Sequence, residues 1–256
     1  MKARRKTLLD ILCARHPDKT REEHLASVLC GDVYVAGERV REPLRRIAED
    51  SCLSFAAETF VSRGGGKLDF ALELWEVETA GKTVLDAGAS TGGFTHCLLE
   101  REAAVVHAVD VGYGQLHPSL RSDSRVILKE KTNIMSVQTL LPQPAFAVCD
   151  LSFRSLRGAA RHIMDLTSEG RLIALVKPQF EWKNPAADFD GVVRSPVALR
   201  DILARLAEDL ETEGVFIAAF TESPLRGHTG NREFLFDLRG AAPHKSAPVK
   251  EKIAAL

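Results

Sequence analysis

A chain of 256 residues that is 45% hydrophobic and 27% charged has the profile of a globular protein, with room for one large domain or a small one ahead of a medium one. Its 34 Lys/Arg against 35 Asp/Glu leave a formal charge of −1, which excludes a protein that coats nucleic acid over its whole surface. No apolar run approaches the roughly 18 residues that a membrane helix needs, so no membrane partner is expected.

The charge is unevenly spread: residues 1–46 carry 11 Lys/Arg against 7 Asp/Glu, a local excess of four. The basic start, Lys2 to Lys6, resembles the leading region of a signal peptide. The apolar stretch behind it is short, is interrupted by Asp10 and is followed by no small-residue cleavage site, so a cytoplasmic address is expected. Five scattered cysteines (Cys13, Cys30, Cys52, Cys97, Cys149) form no CxxC pair, which fits a reducing compartment and predicts no metal site.

Residues 5–15 set Leu8, Leu9, Ile11 and Leu12 at helical spacing. A second helix is predicted from Thr20 to about Leu29, opened by the capping-box pair Thr20 and Glu23 and closed by Gly31. Val33-Tyr34-Val35-Ala36-Gly37 reads as a short strand entering a turn, with further short strands around Arg39-Val40 and from Cys52 to Phe55. These elements make a small α+β unit over 1–57, followed by a linker over 58–61.

From Lys82 the texture changes. A helix from Leu68 to about Val77 leads into strands at Thr83–Leu85, Val105–Val109, Val126–Leu128, Phe146–Cys149 and Leu172–Val176. A long helix from Pro196 to Leu210 precedes strands at Val215–Phe220 and Phe234–Leu238. Strands separated by helices predict an α/β, doubly wound, mostly parallel sheet of the Rossmann type over 62–240. The last two strands are joined by a loop with no helical pattern, so the final strand is expected to run antiparallel. The Ala-, Pro- and Lys-rich segment 241–256 reads as a flexible tail.

Between the first of these strands and its helix stands Asp86-Ala87-Gly88-Ala89-Ser90-Thr91-Gly92-Gly93-Phe94. The glycines allow a backbone to approach a ligand closely, and a helix start offers free N–H donors. Asp86, at the strand end, is placed to hold a cation such as the ammonium of a methionyl group. Asp110, 24 residues on at the end of the next strand, is placed to bind ribose hydroxyls. A nicotinamide site usually begins GxG directly and lacks the first acid. The alternative for the loop is a tight turn with no ligand, and for Asp110 a solvated strand end.

Ligands of such sheets bind at the carboxyl ends of the strands. Strand direction sends Lys67, Asp150, Lys177 and Glu233 to that same rim, the last because an antiparallel strand begins there. Two lysines and two acids beside a methyl donor suit methylation of an alcohol, in which a weakly acidic proton must leave as the oxygen attacks. A lysine serves as base only when its charged form is disfavoured, and Lys177, after the apolar run Leu172–Val176, is the candidate. Lys67 would supply a neighbouring cation, with Asp150 and Glu233 orienting the amines. Each lysine taken alone also reads as a solvated end of a helix or strand.

Ser62-Arg63-Gly64-Gly65 with Lys67-Leu68, the loop Asp86–Phe94, Ala108-Val109-Asp110-Val111-Gly112-Tyr113-Gly114-Gln115-Leu116, Thr132-Asn133, Cys149-Asp150-Leu151-Ser152-Phe153, Val176-Lys177-Pro178-Gln179-Phe180-Glu181 and Gly230-Asn231-Arg232-Glu233-Phe234-Leu235 together resemble the haemolysin A (TlyA) family over residues 5–239. The resemblance implies an N-terminal S4 domain and an FtsJ-like domain that methylates ribose 2′-hydroxyls of ribosomal RNA, with S-adenosylmethionine as cofactor and ribosomal subunits as partners. It implies a catalytic tetrad of Lys67, Asp150, Lys177 and Glu233. The cofactor set it implies is Asp86, Gly88, Ser90, Thr91, Gly92, Gly93, Phe94, Asp110, Val111, Asn133 and Asp150. The S4 segment departs from its pattern: Leu8-Leu9-Asp10 stands for Arg-Leu-Asp and Val35-Ala36-Gly37 for Val-Asn-Gly, while Arg21 is retained. Arg4, Arg5, Lys6, Arg21, Arg39, Arg41 and Arg63 are the expected RNA-facing set. The competing readings are an RNA-binding assembly factor without catalysis, a methyltransferase for a small molecule, and a membrane-lytic protein, for which no spanning segment or strongly amphipathic basic helix is found.

Overall fold

The computed structural model describes residues 5–30, 33–40, 42–55, 60–152, 154–185, 189–227, 229–241 and 249–256. The chain divides into two compact units, 1–59 and 60–256.

In the first unit β1 (Arg5–Thr7) leads directly into α1 (Leu8–Arg15), and α2 (Arg21–Cys30), β2 (Val33–Val35), β3 (Glu38–Val40), β4 (Arg46–Ala48) and β5 (Leu53–Phe55) follow. The helical spacing from residue 5 is realised only from Leu8. Thr7 Oγ1 accepts the Asp10 N–H and caps α1, and Arg5–Thr7 pairs antiparallel with β4 instead. The capping box at α2 is formed reciprocally, with the Thr20 N–H donating to Glu23 at 2.7 Å and the Glu23 N–H to Thr20 at 3.2 Å. β2 sits between β3 and β5, and the two-residue turn after it holds Ala36 at φ 50° and Gly37 at φ 83°. Two positive φ values favour Asn-Gly in such a hairpin, so Ala36 is the strained member. Leu8, Ile11, Leu12, Val28, Val33, Val35, Val40 and Ile47 form the core of the unit.

In the second unit α3 (Arg63–Leu74) precedes a seven-stranded sheet of β6 (Thr83–Ala87), β7 (Val105–Val109), β8 (Val126–Lys129), β9 (Phe146–Cys149), β10 (Arg171–Val176), β11 (Phe216–Glu222) and β12 (Phe234–Arg239). Their order is β11-β12-β10-β9-β6-β7-β8. The pairs from β10 through β9, β6 and β7 to β8 are parallel, and β12 runs antiparallel between β10 and β11. Strand alternation feeds two cores: Leu172, Ala174 and Val176 of β10 join one, Ile173 and Leu175 the other. The helices α6 (Ala159–Asp165) and α8 (Pro196–Thr212) cover the first face, while α3, α4 (Gly93–Glu100) and the short α5 (Pro118–Arg121) cover the second. Among the described residues no helix is long and apolar enough to cross a membrane.

Three differences from the sequence reading matter for the site. β6 continues through Ala87, so Asp86 lies inside the strand rather than at its end. α3 begins at Arg63, which puts Lys67 on its second turn. In the segment expected to be a flexible tail, α9 (Val249–Ala254) forms and buries Val249 and Ile253, four residues apart on one helical face, against the first core.

Candidate functional site

The glycine loop is shaped by close approach. Gly88 has φ 88°, and a Cβ there would stand 2.6 Å from the Asp150 carbonyl oxygen, so only glycine lets β6 and the segment after β9 meet. Its N–H donates to the Val109 carbonyl at 2.8 Å. Gly92 begins α4 in the left-handed region, and a Cβ on Gly93 would strike Ser62. The starts of α3 and α4 are thereby pressed together. Ser90 has φ 48°, and its N–H donates to Asp110 Oδ2 at 2.8 Å, while the Gly112 N–H donates to Oδ1 at 2.6 Å. Asp110 is thus a preorganised carboxylate at the end of β7, held by two backbone donors.

Asp86 is wholly buried. Its Oδ2 accepts the Thr95 hydroxyl at 2.6 Å, whereas Oδ1 has no hydrogen-bond partner among the described residues. Burial, offset in part by Thr95 and reinforced by the negative charge of Asp150, pushes this carboxyl up to about 7. A buried acid with an open oxygen, next to a backbone cradle that admits no side chain, fits a cation at the methionyl end of a cofactor such as S-adenosylmethionine. Asp110 fits the ribose hydroxyls at the other end.

The four candidate catalytic groups meet through sheet register. Val176 pairs with Phe234 across the antiparallel β10–β12 ladder, so the next positions outward are Lys177 and Glu233. Cys149 pairs with both Ala174 and Ala87, which brings Asp150 out on the same rim. Glu233 is 3% exposed and accepts from Lys67 Nζ at 2.5 Å, with Lys67 itself 8% exposed. Lys177 Nζ lies 2.5 Å from Asp150 Oδ1 and donates to Ser152 Oγ at 3.2 Å. The contact with Asp150 lacks hydrogen-bond angles and is a pairing of charges. The site therefore holds two Lys–carboxylate pairs, one buried and one part-exposed.

Several supporting residues were given no role by the sequence, although Glu181, Asn231 and Ser152 stand within the motifs quoted above. Glu181, in the short α7 (Pro178–Glu181) that follows Lys177, accepts from the Leu156 N–H at 2.8 Å, the Ser155 hydroxyl at 2.5 Å and Arg157 at 2.9 Å. It ties the segment bearing Lys177 to the segment after Asp150, and burial pushes its carboxyl above the ordinary range. Asn231 accepts from the Val193 N–H at 2.9 Å and donates to the Gly191 carbonyl at 2.8 Å, fixing the loop that delivers Glu233. Thr95 and Ser152 act through tertiary proximity alone.

Other expected residues lie elsewhere. Phe94 is 3% exposed in the core under α3, so it packs rather than lines an open surface. Val111 is 70% exposed beside Asp110, Thr91 is exposed, and Asn133 caps the short 3-10 helix at Ile134–Ser136 through the Met135 N–H. Of the RNA-facing set, Arg4 and Arg41 fall outside the described residues, and Arg39 is placed only by its backbone in β3 opposite Tyr34. Lys6 pairs with Glu49 at 2.7 Å and Arg21 with Asp10 at 2.9 Å. Arg5 lies in β1, and Arg63 is exposed at the start of α3. Among the described residues no group of His, Cys, Asp or Glu could hold a metal ion.

Residues 60–239 match the model of the FtsJ-like methyltransferase family. The chain is 37% identical over 246 residues to the 16S/23S rRNA (cytidine-2'-O)-methyltransferase TlyA of Mycobacterium tuberculosis, covering 93% of this chain and 91% of that one. It is 33% identical over 213 residues to Hemolysin A of Brachyspira hyodysenteriae, covering 81% of this chain and 89% of that one. Among solved structures, a hemolysin-type protein from Streptococcus thermophilus aligns with TM-score 0.71 and 31% identity, covering 98% of this chain and 95% of that one.

Proposed function

We infer from this chain's place in the FtsJ-like methyltransferase family, to which it belongs, that it transfers a methyl group from S-adenosylmethionine to a ribose 2′-hydroxyl of ribosomal RNA, within a ribosomal subunit in the cytoplasm. The observation that carries this reading is the convergence of the Lys67–Glu233 and Lys177–Asp150 pairs on the rim that also bears the Gly88 cradle and Asp86. Residues 1–57 serve in this reading as an S4-like RNA-docking unit.

When bound, the cofactor supplies an electrophilic methyl carbon on a sulfonium. Asp86 and Asp110 would hold its two ends. Lys177 Nζ would take the proton leaving the ribose 2′-hydroxyl, so that the oxygen could attack the methyl group the cofactor would supply. Asp150 and Ser152 aim that amine. Lys67, fixed by Glu233, adds a buried positive charge beside the oxygen on which negative charge develops.

The test incubates the protein with radiolabelled S-adenosylmethionine and separately purified small and large ribosomal subunits lacking the modification. RNA labelled by wild type, with one linkage resistant to alkali, is expected. Lys177→Ala should lower turnover by about 10²- to 10⁴-fold while leaving cofactor affinity nearly intact. No label in either subunit, with cofactor binding verified, would reject the proposed substrate. An equal loss of cofactor binding in Lys177→Ala would reject the base.

A further inference from the structure

The catalytic pairs neutralise themselves: each lysine is matched by a carboxylate, so the tetrad offers no net attraction to a polyanion. Three arginines beside it are in the opposite condition. Arg63 stands one helical turn before Lys67 and donates to the Arg226 carbonyl at 3.1 Å. Arg226 donates to the Gly230 carbonyl at 3.3 Å, and the next residue, Gly227, presses so closely on Glu233 that a Cβ would lie 2.5 Å from Oε1. Each of these two guanidiniums is thus held by a backbone carbonyl of the loop that reaches the buried pair. On the other side Arg154 lines a crevice with Lys177 and is exposed. Among the described residues none of the three has a carboxylate partner, a condition shared in this unit by Arg200 and Arg205 of α8, whereas Arg101, Arg121, Arg125, Arg157 and Arg232 all have one.

We propose that Arg63 and Arg226 on one side and Arg154 on the other form a two-sided phosphate clamp, which grips the RNA backbone on either side of the ribose presented to Lys177. The inference rests on RNA being the substrate. Guanidinium groups match phosphate geometry, and their unmatched charge is left for the substrate to neutralise. The site therefore separates its tasks: paired lysines perform the chemistry, and unpaired arginines hold the chain.

The test measures methylation of ribosomal subunits lacking the modification by wild type, Arg63→Ala, Arg154→Ala and Arg226→Ala, at several KCl concentrations. Each substitution is expected to raise KM for RNA roughly tenfold with kcat retained. It should also lower the slope of log kcat/KM against log [KCl] by about one, and the matching lysine variants should restore that slope. S-adenosylmethionine affinity by calorimetry should stay at the wild-type value. Unchanged KM and salt slope, or a parallel loss of cofactor affinity, would overturn the clamp. If wild type methylates neither subunit, the substrate reading fails and the clamp is judged by filter binding of a labelled single-stranded RNA oligonucleotide. There the same loss of salt slope supports it, and wild-type binding by all three variants overturns it.

Discussion

Asp86 should make the free protein less stable at alkaline than at acid pH. Its carboxyl is raised from the ordinary 3.8 to about 7 because it is wholly buried with one oxygen unpartnered. Between those two values the native state holds a proton that the unfolded chain has already lost, so stability falls as pH rises. A shift of that size corresponds to roughly 4 kcal/mol at full development, more than half of it lost between pH 5 and pH 8. Asp86→Asn keeps the shape, keeps a partner for Thr95 and removes the titration. The assay is urea denaturation of the cofactor-free protein across that range, wild type against variant, so that other titrating groups cancel. The variant should gain on wild type steadily as pH rises. Saturating S-adenosylmethionine should flatten the wild-type curve by giving the open oxygen its cation, and its binding near pH 6.5 should release protons in calorimetry. Parallel profiles for wild type and Asp86→Asn from pH 5 to pH 8 would refute the reasoning.

Two more outcomes follow from the packing. The Lys67–Glu233 pair is 10% and 4% exposed at its side chains, so Glu233→Ala alone strands a buried ammonium and should cost about 3–5 kcal/mol in denaturant unfolding. The double variant Lys67→Met with Glu233→Leu should recover most of that stability yet show no RNA methylation; recovered activity would show that the pair is merely structural. Gly88→Ala places a Cβ 2.6 Å from a backbone oxygen in a left-handed conformation. It should abolish measurable S-adenosylmethionine binding in calorimetry and lower stability by about 1–3 kcal/mol, and wild-type affinity would show that the cradle is not where the cofactor lies.

Much of the second unit was legible because parallel strands buried on both faces read as apolar runs, as in Phe146–Cys149 and Leu172–Val176. Once direction is known, the residues leaving those strands are known as well, which is why Asp110, Asp150 and Lys177 could be placed on one rim. The three-residue strands β1 and β4 were not legible, since only Ile47 among their six residues is fully inward and Thr7 doubles as a helix cap. α9 was hidden because two buried side chains in an Ala- and Lys-rich stretch carry little periodicity. The expected RNA-facing charges illustrate a further limit: whether Lys6 or Arg21 is free depends on Glu49 and Asp10, and only the fold brings those together. Such exposed pairs are weak and can exchange a carboxylate for a phosphate. Thr95 escaped for the same reason, and Ser152 and Glu181, though they stand in quoted motifs, received no role because their roles consist of contacts.

The reversed strand explains how acids and lysines come to be matched. In a wholly parallel sheet every strand delivers to the active rim the residue that follows it, so the groups there come from turns that are free to move outward into solvent. β12 enters between β10 and β11 the other way round and delivers the residue that precedes it. Glu233 therefore arrives at the inner edge of the rim, beside the most buried part of the sheet, where Phe234 is wholly inaccessible. A carboxylate so placed must be paired, and the near face is closed by α3, whose second turn supplies Lys67. At the opposite end of the same strand Asp237 meets the same requirement through Arg171 and Arg239. The difference is position: one buried pair lies at the end of β12 that meets Lys177, the other at the end that meets Arg171. Burial demands both ion pairs, and strand direction determines which of them is available for chemistry.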